Sequence, residues 1–168
     1  MPAGVAEKIA AGEVIERPVS AIKELVENAL DAGATEVSVT LGEGGIQFIE
    51  VTDNGSGMGP QDLALCLKRH ATSKLSEVSD LERIRTLGFR GEALPSIAAV
   101  SSVRIVSRSF TELSAFEISS TAGISVGVSE IEPRPITFGH FHGAKTGTRV
   151  QVEGLFSQVP ARLKFLKS

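Results

Sequence analysis

Apolar residues recur at helical spacing from Val5 to Ile15, and Arg17-Pro18 interrupts them. Pro18 suits the first position of a second helix with Ser20 in its first turn, running to about Ala32 and stopped by Gly33. Val37, Val39 and Leu41 then alternate with polar residues, GEGG makes a tight link and IQFIEV follows, a pattern that predicts a β-hairpin. The glycine-rich turn DNGSGM leads into GPQDLALCLKRH, a helix with Leu63, Ala64 and Leu67 on its apolar side. A polar stretch, ATSKLSEVSD, precedes another short helix, and GFRGEALPSIAAV is helical in its second half despite Pro95. From Val103 the period changes to two through VRIVSR, SAFEIS, GISVGVSEI and TRVQVEG, and a last helix begins at Pro160. Together these elements predict a two-layer α/β domain, with helices over one face of a sheet that the later hairpins complete.

The chain has 168 residues, enough for one domain with a real core, and 42% hydrophobic against 22% charged residues is globular composition. A net charge of -3 leaves only local basic surface for nucleic acid, namely Arg149, Arg162, Lys164 and Lys167. Contacts through these residues are expected to be weak, salt-sensitive and confined to phosphates. The single cysteine, Cys66, excludes an internal disulfide and suits a reducing compartment. No apolar run is long enough to cross a bilayer, and the N-terminus lacks a signal peptide's apolar core. Trp and Tyr are absent, which disfavours a stacking platform for single strands, although eight Phe remain. The first periodic segment starts almost at once and the last helix is only getting under way. Residues 1–168 therefore read as one domain of a longer protein, cut at both ends.

The second helix, within KELVENALDAGA, crowds its charge. Glu24, Asn28 and Asp31 fall in a narrow arc with Glu27 at its edge, opposite Ile22, Leu25, Val26 and Ala29. Two readings stand: a solvated outer face, or a site. Only Lys23 is near enough to offset three carboxylates, and Asn is a modest helix former. An amide oxygen one turn from a carboxylate also suits a hard cation beside phosphates, with the carboxylate as general base on water.

Elsewhere the glycines are suggestive. In TDNGSGMG, Asp53 stands at the mouth of a strand, where it could accept from an exocyclic amine while glycines let a flat ring approach. An ordinary Asn-Gly turn has the same residues. The glycine order is not that of a dinucleotide fold, and HGAKTGT lacks P-loop spacing. In GFRGEAL, Gly88 and Gly91 flank Phe89-Arg90 ahead of a helix with Glu92 in its first turn. That is either a lead-in loop or a nest for phosphate oxygens. Thr72, Ser73 and Lys74 of RHATSK also suit phosphates, as would any solvated loop. Cys66 with His70, His140 and His142 matches no zinc spacing, and Cys66 reads as core; no G-x-S-x-G nucleophile is present.

Taken in order, IAAGEVIERP, KELVENALDAGA, DNGSGM, RHATSK and GFRGEAL resemble the N-terminal ATPase domain of the MutL DNA mismatch repair family. That family shares its nucleotide fold with type II topoisomerases, Hsp90 chaperones and sensor histidine kinases. The likeness spans Ile9 to PARLKFL. DNGSG alone marks the wide group, whereas GEVIERP with GFRGEAL marks the MutL branch. The resemblance implies a Bergerat-type sandwich with a mixed, mostly antiparallel sheet. It implies Glu24 as general base, Asn28 as magnesium ligand, Asp53 on the adenine amine with Gly57 beside the ring, and Thr148 nearby. Thr72, Ser73 and Lys74 would lie in the nucleotide lid, and Gly88, Arg90 and Gly91 in the phosphate loop.

It further implies ATP and magnesium as ligands, and slow hydrolysis acting as a switch for dimerisation. The implied partners are a mismatch recognition protein and a downstream nuclease or helicase on DNA, in the cytoplasm of a bacterium or the nucleus of a eukaryote. A lysine on the γ-phosphate would come from a following transducer-like domain, and the segment ahead of Ile9 would assist dimerisation. A C-terminal dimerisation domain would complete the full protein. The rival readings are a gyrase-type or chaperone-type ATPase, and a nucleotide-ordered interaction module without appreciable turnover.

Overall fold

The computed structural model describes residues 15–68, 92–131, 145–157 and 159–167. Apart from Ile15, the helix expected over Val5–Ile15 lies outside them, as does the short helix after ATSKLSEVSD. The elements are α1 (Pro18–Asp31), β1 (Val37–Gly42), β2 (Phe48–Asp53), α2 (Pro60–Cys66), α3 (Ala93–Ala99), β3 (Ser102–Arg108), β4 (Phe116–Thr121), β5 (Ile124–Glu130), β6 (Gly147–Glu153) and α4 (Pro160–Lys167).

Local chemistry accounts for their ends. Arg17 is extended and Pro18 opens α1, where a missing N–H costs nothing. Gly33 adopts a left-handed φ of 76°. Its N–H bonds the Leu30 carbonyl at 3.0 Å while Ala34 N–H bonds that of Ala29 at 3.1 Å, the Schellman pairing that closes a helix. Pro95 is the third residue of α3, still in the first turn, so it removes no helical hydrogen bond. The α2 helix stops at Cys66, short of His70, in a turn where Lys68 N–H bonds the Leu65 carbonyl at 3.0 Å.

The six described strands form one sheet in the order β1-β2-β6-β3-β4-β5, and every neighbouring pair among them is antiparallel. The last strand in sequence therefore sits in the middle, between β2 and β3. Cross-strand partners share a face. Ile49, Val51, Val150, Val152, Val103, Ile105 and Ile118 point to the helices and pack with Ala21, Leu25, Leu63 and Ile97 in one core. The other face carries a polar ladder in which Gln151 Nε2 donates to Glu50 Oε2 at 2.7 Å and Arg104 forks onto Glu117 Oε2 at 2.9 and 2.6 Å. Among the described residues no helix is long and apolar enough to cross a membrane.

Candidate functional site

The register sets three polar side chains in a row. Asp53 ends β2, Thr148 is its partner on β6, and Ser107 is the partner of Thr148 on β3. All three are buried, at 6%, 9% and 0% exposure. The two rows beneath are apolar: Val51, Val150 and Ile105, then Ile49, Val152 and Val103. One end of the helix-facing side of the sheet is thus a polar shelf over an apolar floor. Burial pushes the Asp53 carboxyl up to about 6, and the backbone N–H groups of Gly55 and Thr148 partly offset that rise.

The DNGSGM turn is more than a flexible link, because most of its bonds are long-range. Asn54 Oδ1 accepts from Thr35 N–H at 2.8 Å and Glu36 N–H at 2.9 Å, and Asn54 Nδ2 donates to Thr35 Oγ1 at 2.9 Å. Gly55 N–H donates to Asp53 Oδ1 at 2.8 Å, and Ser56 N–H to the Ala32 carbonyl at 2.9 Å. Thr146 Oγ1 donates to the Gly55 carbonyl at 2.9 Å, and Met58 N–H to Ser107 Oγ at 2.7 Å. The loop is therefore tied at one end to the close of α1 and at the other to β3 and β6.

Gly57 is required by that tie alone. Its φ is 66°, and a Cβ there would fall on the Arg108 carbonyl oxygen, with the Gly147 oxygen 3.0 Å away. Both neighbours are backbone and cannot swing aside. Gly57→Ala is expected to cost about 2 kcal/mol or more of stability, measured by urea denaturation. A midpoint equal to the parent's would show that the loop relaxes freely.

On α1 the buried seam is Ala21, Leu25 and Ala29. At 100° per residue its centre lies roughly 50° nearer the polar arc than the apolar arc expected from sequence. Glu24 and Asn28 are accordingly half-buried at the edge of the seam, while Asp31 is exposed. Lys23 leans to Glu27, with Nζ–Oε1 at 3.9 Å. The Asp31 carboxyl is raised, first by partial desolvation and then by the Glu27 charge, so the acidic face repels itself as expected. Asn28 precedes Ala32, the anchor of the glycine turn, by one turn or about 6 Å, and Glu24 precedes it by about 12 Å.

Cys66 packs against the core, its Sγ donating to the Leu63 carbonyl at 3.1 Å, and burial pushes its thiol up to about 12. It is a protonated core thiol, not a thiolate ligand. Thr72, Ser73, Lys74, Gly88, Arg90, Gly91, His70, His140 and His142 lie outside the described residues. The expectation from sequence singled out neither Ser107 nor Asn54. Ser107 had a readable signal, since it is the polar member of the inward-facing set Val103, Ile105 and Ser107.

A family model described as histidine kinase-, DNA gyrase B-, and HSP90-like ATPase matches residues 16–148. The chain belongs to this ATPase family. Within the family it is similar to the DNA mismatch repair protein MutL of Symbiobacterium thermophilum, 51% identical over 163 residues, covering 97% of this chain and 24% of that protein. MutL of Azorhizobium caulinodans is 52% identical over 168 residues, covering 100% of this chain and 25% of that protein. The chain spans about a quarter of the length of these curated relatives.

Two solved structures agree in fold. The Aquifex aeolicus MutL ATPase domain complexed with ADP has a TM-score of 0.63 and 36% identity, covering 90% of this chain and 48% of that one. The N-terminal domain of a DNA repair protein gives a TM-score of 0.73 and 28% identity, covering 98% of this chain and 45% of that one.

Proposed function

We propose that this domain binds ATP with magnesium and hydrolyses it slowly, and that bound nucleotide acts as a switch for dimerisation and partner recruitment in DNA mismatch repair. The observation that carries the reading is the buried row of Asp53 and Thr148, joined by the glycine turn to the end of α1. Ala32, to which the turn after Asp53 is tied, is followed backwards along α1 by Asn28 at about 6 Å and Glu24 at about 12 Å, an order that suits a base, metal-bound phosphates and an attacked terminal phosphate. The relatives named MutL, and the MutL ATPase domain described with ADP, support the same assignment.

In this reading Asp53 accepts from the adenine amine and Thr148 borders it. Glu24 takes a proton from the attacking water. The Asn28 amide and the Glu24 carboxylate are hard oxygen donors on a half-buried strip, the donor type that magnesium takes. Asn28 would hold the ion, which when bound screens the charge of the phosphates. Thr72, Ser73 and Lys74 are proposed for the lid, and Gly88, Arg90 and Gly91 for the phosphate loop. The mismatch recognition protein and the downstream nuclease or helicase remain the proposed partners, in a longer protein of which residues 1–168 are the N-terminal domain. DNA contact would be weak. Arg149 lies on the face of the sheet away from the helices, between the buried Thr52 and Val106, whereas α4 packs Leu163 and Leu166 on the core and stacks Arg162 over Phe156 at 5.8 Å.

Calorimetric titration with a non-hydrolysable ATP analogue, with and without magnesium, tests the reading. The parent should bind more tightly with magnesium, and Asn28→Ala should lose most of that enhancement. Absence of binding by the parent would sink the nucleotide assignment. An unchanged magnesium effect in Asn28→Ala would remove the ligand role of Asn28.

A further inference from the structure

Ser107 sits at the junction of the glycine turn, β3 and β6, and its hydrogen bonds can be counted. A serine hydroxyl has one proton and accepts at two lone pairs. Met58 N–H donates to Ser107 Oγ at 2.7 Å, the Gly147 carbonyl oxygen lies at 3.0 Å and Thr148 Oγ1 at 2.8 Å. A carbonyl only accepts, so the Ser107 proton goes to Gly147. The contact with Thr148 then requires the Thr148 hydroxyl to donate. With that polarity both Ser107 lone pairs and its proton are engaged. The reverse polarity would set two bare oxygens, Ser107 Oγ and Gly147 O, against each other at 3.0 Å inside the protein.

We infer that Ser107 is a positioning residue that turns the Thr148 hydroxyl proton away from the shelf, leaving only acceptor lone pairs there and favouring a purine with an amine at its 6-position, as in adenine, over one with a carbonyl there, as in guanine. The inference rests on the nucleotide reading above. Its chemistry is specific. The Asp53 carboxylate is also an acceptor, so the shelf offers two acceptors side by side. An exocyclic amine has two N–H donors and meets both. A carbonyl oxygen placed there would face two acceptors and remain unpaired in a buried site. Discrimination thus belongs to three residues in a row, and Ser107 contributes without touching the ligand.

Binding of non-hydrolysable ATP and GTP analogues at pH 8 tests this. Ser107→Ala should weaken the ATP analogue about 3- to 10-fold and leave the GTP analogue unweakened, so that the preference for adenine falls by the same factor. Ser107→Thr, which keeps the hydroxyl, should restore the preference. In a Thr148→Val background, Ser107→Ala should alter the preference no further, because the group it orients is gone. Should Ser107→Ala fail to fold, Ser107→Cys fills the same space with a weaker donor and should also lower the preference.

An unchanged preference in a folded variant overturns the inference while leaving the nucleotide reading intact. So does an equal loss for both analogues, or a further change in the Thr148→Val background. A parent that binds neither analogue overturns both.

Discussion

Glu24→Ala will bind nucleotide within a few-fold of the parent and turn it over about 10²- to 10⁴-fold more slowly. Binding and turnover are separated along a helix. Glu24 lies two turns, about 12 Å, before Ala32, to which the glycine turn and hence Asp53 are tied. Removing its carboxylate leaves the Asp53 and Thr148 shelf untouched, so the base should still be held. What is lost is a proton acceptor fixed in the interior of α1, next to Leu25 and at the edge of the buried seam of Ala21, Leu25 and Ala29. Backbone bonds hold its position better than a loop would. Phosphate release under single-turnover conditions, with affinity measured separately, checks both halves. Turnover equal to the parent's would refute the general-base assignment, and a lost affinity would place Glu24 in binding instead.

Asp53→Ala should weaken nucleotide roughly 10- to 100-fold, the range for removing a charged partner of a buried hydrogen bond. The pH dependence carries a sharper signature. The carboxyl titrates at about 6 in the folded domain against 3.8 as its ordinary value, raised by burial. The folded state then binds the proton more tightly than the unfolded one. This residue's contribution to stability therefore rises as pH falls through about 6 and levels off below 3.8. Nucleotide binding runs the other way, because only the carboxylate is a full acceptor for an amine. Affinity should drop about tenfold per pH unit below that titration. Asp53→Asn should flatten both slopes. Calorimetry and urea denaturation between pH 5 and 8 measure them, and parallel slopes in parent and variant would show that another group governs the response.

Much of the local structure was legible. Pro18 and Gly33 bound α1 to within a residue of its observed end at Asp31, and the hairpin β1–β2 follows the alternation of Val37, Val39 and Leu41. Such signals are local, set by φ restrictions and by which side of a strand each residue faces. Glu24 and Asn28 drew notice through the crowding of charge on one side of a helix, and Asp53 through its place at the mouth of a strand before a glycine-rich turn; their roles came from the resemblance. Two details of α1 and α2 were not legible. The apolar arc on α1 was wider than the seam that packs, so its centre was misplaced. The length of α2 depended on a turn after Cys66 that the leucine spacing does not encode.

Ser107 shows the boundary most plainly. Its inward direction is written in the alternation of VRIVSR, but its partners are not. Thr148 is 41 residues away and Met58 is 49 away in the opposite direction. Among the described residues, the sequence alone determined helix and strand identity, the glycine turn and the residue types capable of holding a phosphate ester and a metal. Only the tertiary structure decided that β6 enters between β2 and β3, and hence that Asp53, Thr148 and Ser107 stand in one buried row. The reason is physical: side-chain direction follows from the period of two within a strand, whereas strand order follows from how the whole sheet buries its apolar face.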